Sequence, residues 1–191
     1  MHRHFILHKP HGYLSQFIYQ KKRTKKLLGE LYDFPEGTMA IGRLDEDSEG
    51  LLLLTTDGHE SERVRSKTVE KEYYAQVDGV ITPTAIAQLE AGVEIGFKGI
   101  RYTTQPCHVR LVTALPPCIG EGRRIRDARH GPTRWISVTL TEGKFRQVRK
   151  MTAAVGFPTL RLVRVRVGGI FLQINAGRVQ EVPHFENVGE Y

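Results

Sequence analysis

The chain is short of several things, and each shortage removes a class of protein. It holds only two cysteines in 191 residues, Cys107 and Cys118. With no CxxC spacing between them, neither a disulfide framework nor a structural zinc site is indicated, and free thiols in a reducing cytoplasm are expected. No apolar run approaches the roughly 20 residues that a spanning helix needs, and Phe5-Ile6-Leu7 is too short for the core of a signal peptide. Membrane insertion and secretion are therefore unsupported. No GxxxxGK[ST], GxGxxG, GxSxG or HExxH sequence occurs, which removes the commonest nucleotide-binding and hydrolase signals. Acidic residues are also in deficit, 21 Asp and Glu against 28 Lys and Arg, for a formal charge of +7. Such a surface concentrates polyanions, nucleic acid foremost.

What is present suits a folded protein. Hydrophobic residues make up 40% of the chain, enough for a sizeable core in one domain or a domain of two lobes. An early strand is expected at Phe5 to Leu7, closed by Lys9-Pro10-His11-Gly12. A basic run from Lys21 to Lys26 precedes a short amphipathic helix around Leu27, Leu28, Leu31 and Tyr32. Strands follow over 39–44 and 50–56, the second apolar on both faces and so central to a sheet, with Asp45 in the turn between them. A polar helix opens at Asp57-Gly58 and a tyrosine-rich strand covers 70–77. Thr82-Pro83 is a helix cap followed by proline at the first helical position, with Ile86, Leu89 and Val93 on one face. A strand over 106–112 leads into a long aperiodic loop at 116–134. Trp135 to Leu140 alternates as a half-buried antiparallel strand. The helix predicted over 144–155 turns Phe145, Val148, Thr152 and Val155 inward and is stopped by Gly156 and Pro158. In the last strand, 159–167, the alternation shifts phase at Leu162, as a bulge there would produce.

Two clusters carry chemistry. Gly42-Arg43-Leu44-Asp45-Glu46-Asp47-Ser48-Glu49-Gly50 plants four carboxylates at the mouth of an apolar strand. The plain reading is a polar turn capped by Ser48 and Gly50. Asp45, Asp47, Glu49 and Gly50 also copy the opening of an EF-hand loop, but the twelfth position is Thr56 where glutamate is required. A magnesium-dependent nuclease would gather its carboxylates from separate strands. The second cluster runs from Gly143 to Lys150 and continues in Arg161, Arg164 and Arg166, with seven basic residues and no acidic one. Neighbouring elements of one sign repel unless an anion or a buried carboxylate lies between them, and an arginine beside Asp45 would keep that group ionised. Tyr73, in Lys71-Glu72-Tyr73-Tyr74, is either a core residue or a ring on which a nucleobase stacks. His2, His4, His8 and His11 crowd the N-terminus without a convincing metal-ligand geometry.

Read in order, Gly42-Arg43-Leu44-Asp45 with Ser48-Glu49-Gly50-Leu51-Leu52-Leu53-Leu54-Thr55, then Lys71-x-Tyr73, then Gly143-x-x-Arg146-Gln147-Val148-Arg149-x-Met151 with Gly156-x-Pro158-x-Leu160-Arg161-Leu162, resemble the three motifs of the RsuA-type bacterial ribosomal pseudouridine synthases. The likeness runs from about Phe5 to about Val182. The insert from Ile125-Arg126-Asp127 to Trp135 and the closing segment are similar to a compact large-subunit member of that branch. The resemblance implies an α+β fold with a mixed, mainly antiparallel central sheet, flanking helices and a basic active-site cleft. It implies a single catalytic domain over 1–191, without the N-terminal S4-type RNA-binding domain that many members carry.

The activity implied is isomerisation of one uridine in 23S ribosomal RNA to pseudouridine, which needs no redox equivalent, phosphate donor or metal, so no cofactor is expected. Asp45 is then the essential carboxylate, Tyr73 the base-stacking or proton-handling group and Arg146 the partner of Asp45, with Arg43, Leu44 and Leu162 around the substrate pocket. Lys9, Arg149, Lys150, Arg161 and Arg164, with Arg123, Arg124 and Arg126 of the long loop, are the candidates for holding RNA. His8 stands where asparagine is more usual before the Lys9-Pro10 turn. A cytoplasmic monomer with no membrane partner completes the expectation. A non-catalytic RNA-binding or ribosome-assembly module, using only the basic surface, is the alternative.

Overall fold

Turn chemistry and hydrophobic patterning resolve into eleven strands and three α-helices among the described residues. The computed structural model describes residues 1–18, 25–66, 68–97, 99–120, 125 and 128–188. In chain order the elements are β1 (His4–Lys9), β2 (Met39–Ala40), β3 (Glu49–Thr55), α1 (Gly58–Val64), β4 (Lys71–Asp78), α2 (Pro83–Ala91), β5 (Glu94–Phe97) and β6 (Ile100–Thr103). They continue with β7 (His108–Val112), β8 (Thr133–Leu140), α3 (Gln147–Ala154), β9 (Thr159–Val167), β10 (Ile170–Phe171) and β11 (Val179–Val182). The class is α+β with a mainly antiparallel sheet, as expected. The chain divides into two compact units, Met1–Val69 with Val163–Tyr191, and Glu70–Leu162.

In the first unit β1 lies between β11 and β3 and is antiparallel to both, with Ile6 opposite Gln180 on one side and Leu53 on the other. β3 pairs parallel with β9, Glu49 opposite Val163 and Gly50 opposite Arg164. All seven residues of β3 are buried, which is why its sequence is an unbroken apolar run rather than an alternation. Leu51 to Leu54 form this unit's interior together with Phe5, Leu7, Val163 and Val165. A cluster of rings, with Phe5 and Phe34 centroids 5.3 Å apart and Tyr32 and Phe34 5.0 Å apart, adds edge-on aromatic packing. Asp57 caps α1 by accepting from His59 N at 2.9 Å.

In the second unit β4 and β8 pair antiparallel along their whole length, from Lys71 opposite Leu140 to Asp78 opposite Thr133. β7 flanks β8. Thr82 caps α2 through its hydroxyl, which accepts from Ala85 N at 3.2 Å, and Pro83 follows at the first helical position. Ala75, Val77, Leu89, Val109, Ile136, Val138, Met151 and Leu162 make a continuous apolar core.

Three expectations are corrected, and one element is new. The helix predicted around Leu27 to Tyr32 is only a single 3-10 turn at Leu28–Glu30. Lys26 O accepts from Leu14 N and Leu28 N donates to Gln16 O, so the backbone leading into the turn is paired with the segment before it. The strand predicted over 39–44 stops at Ala40, because Gly42 takes a φ of 72° and turns the chain away. The β5–β6 hairpin was not anticipated, its four-residue strands being too short to show a period. The helix expected from Lys144 begins at Gln147. As for the phase shift in β9, Arg161 to Val165 are all buried, so both apolar series face the interior and the arginines between them do too.

Candidate active site

Asp45 opens a tight turn closed by Ser48 N donating to Asp45 O at 3.0 Å. Such a turn would be loose on its own, but the segment after β1 straps it down. Gly12 N donates to Glu46 O at 2.8 Å. The Ser15 hydroxyl donates to Leu44 O at 2.8 Å and accepts from Leu44 N at 3.0 Å, fixing the residue next to Asp45 from both sides. Lys9 is fully buried, and its ammonium donates to Tyr13 O at 2.7 Å, Pro10 O at 3.0 Å and, at longer range, Glu46 O at 3.4 Å. Lys25 pairs with the Glu46 carboxylate. Asp45 is half-buried, Leu44 buried and Arg43 exposed.

This geometry accounts for the density of carboxylates. Burial pushes the Lys9 ammonium down to about 8, while Glu49, Asp47, Asp45 and Glu46 act in the opposite direction and favour its charge. The acidic turn is thus the counter-charge for a buried cation. Beyond the turn, Gly50 has a φ of 109°, and a Cβ placed on it would stand 2.3 Å from Arg164 O. No side chain fits where β3 meets β9. Arg164 is itself buried and donates from Nε to Leu51 O at 2.7 Å, tying the same junction.

In the second unit Tyr73 is half-buried on β4, opposite Val138, and packs against the apolar core to which Leu162 belongs. Its neighbour Glu72 is buried and accepts from Ser137 Oγ at 2.6 Å and from Arg110 Nη2 at 3.0 Å. Arg146 adopts a left-handed conformation, φ 53° and ψ 34°, immediately before α3. For a residue with a Cβ this costs roughly 1–2 kcal/mol, and such strain gathers at functional positions. Two reciprocal bonds across the residue hold it, Gln147 N to Lys144 O at 3.1 Å and Lys144 N to Gln147 Oε1 at 2.9 Å. Glu142 then anchors Gln147, accepting from its Nε2 at 2.6 Å, from Tyr102 Oη at 2.5 Å and from Gln105 N at 2.8 Å. The left-handed turn also throws Phe145 outward, 65% exposed, where the helical pattern had placed it in the core.

The residues expected to hold RNA are distributed unevenly. Lys9, Arg161 and Arg164 are buried, with Arg161 donating to Ile119 O at 3.0 Å and lying 5.8 Å from the Trp135 ring. Arg149 is partly buried and reaches Thr159 O at 3.4 Å, whereas the Lys150 ammonium is exposed and donates to Gly96 O at 2.8 Å. Arg123, Arg124 and Arg126 lie outside the described residues. Among the described residues no three His, Cys, Asp or Glu side chains are grouped as a metal site, and no helix is long and apolar enough to cross a membrane. Ser15 and Glu142 carried no sign in the sequence, since each acts on a residue that only folding brings near.

The profile of RNA pseudouridylate synthases matches residues 3–154, and so takes in the Asp45 turn, β4 with Tyr73, and the Arg146 turn. The chain belongs to the RNA pseudouridylate synthase family. It is accordingly an RNA pseudouridine synthase, an isomerase acting on RNA. Among its relatives, ribosomal large subunit pseudouridine synthase E of Xanthomonas axonopodis pv. citri is 40% identical over 165 residues, 85% of this chain and 84% of that protein. The protein of the same name from Vibrio vulnificus is 39% identical over 181 residues, 93% of this chain and 74% of that one. A solved pseudouridylate synthase superposes with a TM-score of 0.74 at 24% identity, covering 95% of this chain and 70% of the other. At that identity the likeness establishes fold alone. Human RNA pseudouridylate synthase domain containing 1 gives 0.52 at 16% identity over 86% of this chain and 74% of its own.

Proposed function

We propose that this synthase isomerises a uridine of 23S ribosomal RNA to pseudouridine, acting as a cytoplasmic monomer without a cofactor. The large-subunit substrate is taken from the names of its relatives in Xanthomonas and Vibrio. The observation that carries the residue assignment is that Asp45 lies inside the matched family region on a turn whose main chain is bonded at Leu44 by Ser15 and at Glu46 by Gly12 and the buried Lys9.

The reaction breaks the bond between C1′ and N1, turns the detached uracil, joins C1′ to C5, and moves the proton lost from C5 to N1. An ionised Asp45 serves it by attacking covalently or by stabilising positive charge at C1′, and in either case the carboxylate must be charged and fixed in place. Because the reacting atoms are inaccessible in a stacked helix, the uridine is flipped out, at a cost of a few kcal/mol. Tyr73 replaces the lost stacking, and Leu44, Arg43 and Leu162 border the base. Arg146 pairs with Asp45 in this proposal and keeps it ionised. Lys9, buried beneath the turn, has a positioning role here rather than a phosphate contact.

The test is Asp45→Asn, which removes the charge and keeps the shape. Pseudouridine formation on 23S RNA should fall by roughly a thousandfold or more, with folding and RNA affinity nearly unchanged. A variant that still turns over appreciably would leave only the RNA-binding module. Mapping pseudouridines in ribosomal RNA from a strain lacking the protein identifies the uridine.

A further inference from the structure

We propose that Phe145 is a platform on which an unpaired base of the bound RNA stacks, with Lys144 and Lys150 attracting the adjoining phosphates. The proposal rests on the reading of the chain as an RNA pseudouridine synthase. Phe145 is 65% exposed although it lies between Lys144 and Arg146 in a segment whose pattern favours turning it inward. It is held out by the strained left-handed Arg146, and that conformation is itself fixed by the Lys144 and Gln147 bonds and by Glu142. The cations beside it are placed by the same part of the unit. Lys150 Nζ lies 5.4 Å from the Phe145 ring centroid while donating to Gly96 O at 2.8 Å on the β5–β6 hairpin. Lys144 Nζ lies 4.8 Å from the Tyr102 ring on the other strand of that hairpin. An exposed apolar ring with one ammonium beside it and a second on the neighbouring Tyr102 matches one chemistry, an aromatic base carried on a phosphate chain, because stacking uses a ring face and the charges meet the backbone.

Stacking and charge separate experimentally. Phe145→Ala should weaken binding of an unstructured oligouridylate roughly tenfold while leaving binding of a base-paired RNA stem within about twofold. The slope of affinity against salt should not change in that variant, whereas Lys144→Ala and Lys150→Ala should each flatten it by about one. Phe145→Trp should keep the affinity, and the emission it adds to that of the single native Trp135 should be quenched when the oligouridylate binds. Because Phe145 is exposed, its variants should unfold at the wild-type denaturant midpoint. Oligouridylate binding by Phe145→Ala within twofold of wild type, or unquenched emission from Phe145→Trp at saturation, would overturn the proposal. Loss of RNA binding or isomerisation by the wild-type protein itself would instead overturn the functional reading on which it rests.

Discussion

The turn at Asp45 and the turn at Arg146 both present an irregular segment at the start of a regular element, and they are held by opposite means. The first is relaxed in itself and is secured by distant groups, the ammonium of Lys9 and the hydroxyl of Ser15, which lies 29 positions before the residue it grips. The second is strained in itself and is secured locally, by Lys144, Gln147 and Glu142 within five positions. Rigidity bought from a buried cation depends on pH and on the packing around it, whereas rigidity from a local side-chain network depends on hydrogen-bond geometry. The proposed role of Asp45 needs a charged carboxylate and would benefit from the first kind, since the same cation that fixes the turn also favours ionised carboxylates near it.

The contrast breaks most severely at Gly50. Its replacement by alanine would force a Cβ to within 2.3 Å of Arg164 O at a φ of 109°. Overpacking against backbone that cannot yield, together with a left-handed residue, should lower stability by about 4 kcal/mol. Chemical denaturation should show that loss with an unchanged m-value. Gly42→Ala has a positive φ but open space around it, so it should lose only about 1 kcal/mol. Equal losses at the two sites would mean that the approach of β9 is not what demands glycine at Gly50.

Lys9 gives the next effect. Lys9→Met leaves carbonyls of Pro10, Tyr13 and Glu46 without their donor and the acidic turn without its counter-charge, at about 3 kcal/mol. In the wild type the ammonium titrates at about 8, below its ordinary 10.5. Its charged form faces Asp45, Glu46, Asp47 and Glu49, so activity should fall as pH rises through about 8 and the strap loosens. Stability runs the other way. Between the folded and unfolded values the unfolded chain holds more protons, so the contribution of Lys9 to stability rises with pH across that window. Denaturation at about pH 7 and about pH 10 should therefore show the wild type gaining on Lys9→Met as pH increases. A gap that narrows would show that burial does not depress this lysine.

How much of this could be read beforehand follows the same division. The burial of β3 was legible because Leu51 to Leu54 can only be an interior strand, and the Thr82-Pro83 cap is a local signal that its geometry reproduces. At the site, the position of Asp45 in a turn before that strand was legible too. The burial of Lys9, Arg161 and Arg164 was not, since a basic residue reads as a surface residue until the carbonyls it serves, such as Ile119 O and Leu51 O, are known. Nor was the outward face of Phe145, because helical periodicity assumes right-handed residues and Arg146 departs from them.

The finest test of the contrast lies in the local network. Glu142→Gln keeps the size of the side chain but removes the charge that strengthens the bonds of Gln105 and Gln147 to Oε1, and sets an N–H group against the Tyr102 hydroxyl at Oε2. The fold should persist, because the apolar core of the unit does not include this residue. What should loosen is the Lys144 to Gln147 bridge, and with it the orientation of Arg146. A displacement of that order should lower kcat about tenfold with little change in KM, since binding depends on the rest of the surface. A second readout separates positioning from general damage. The bond to Glu142 raises the Tyr102 phenol above its ordinary value by favouring the protonated form, so in Glu142→Gln that phenol should ionise at lower pH than in the wild type. If the tyrosine shifts while kcat holds, the network bends without moving Arg146, and the left-handed turn keeps its shape without Glu142.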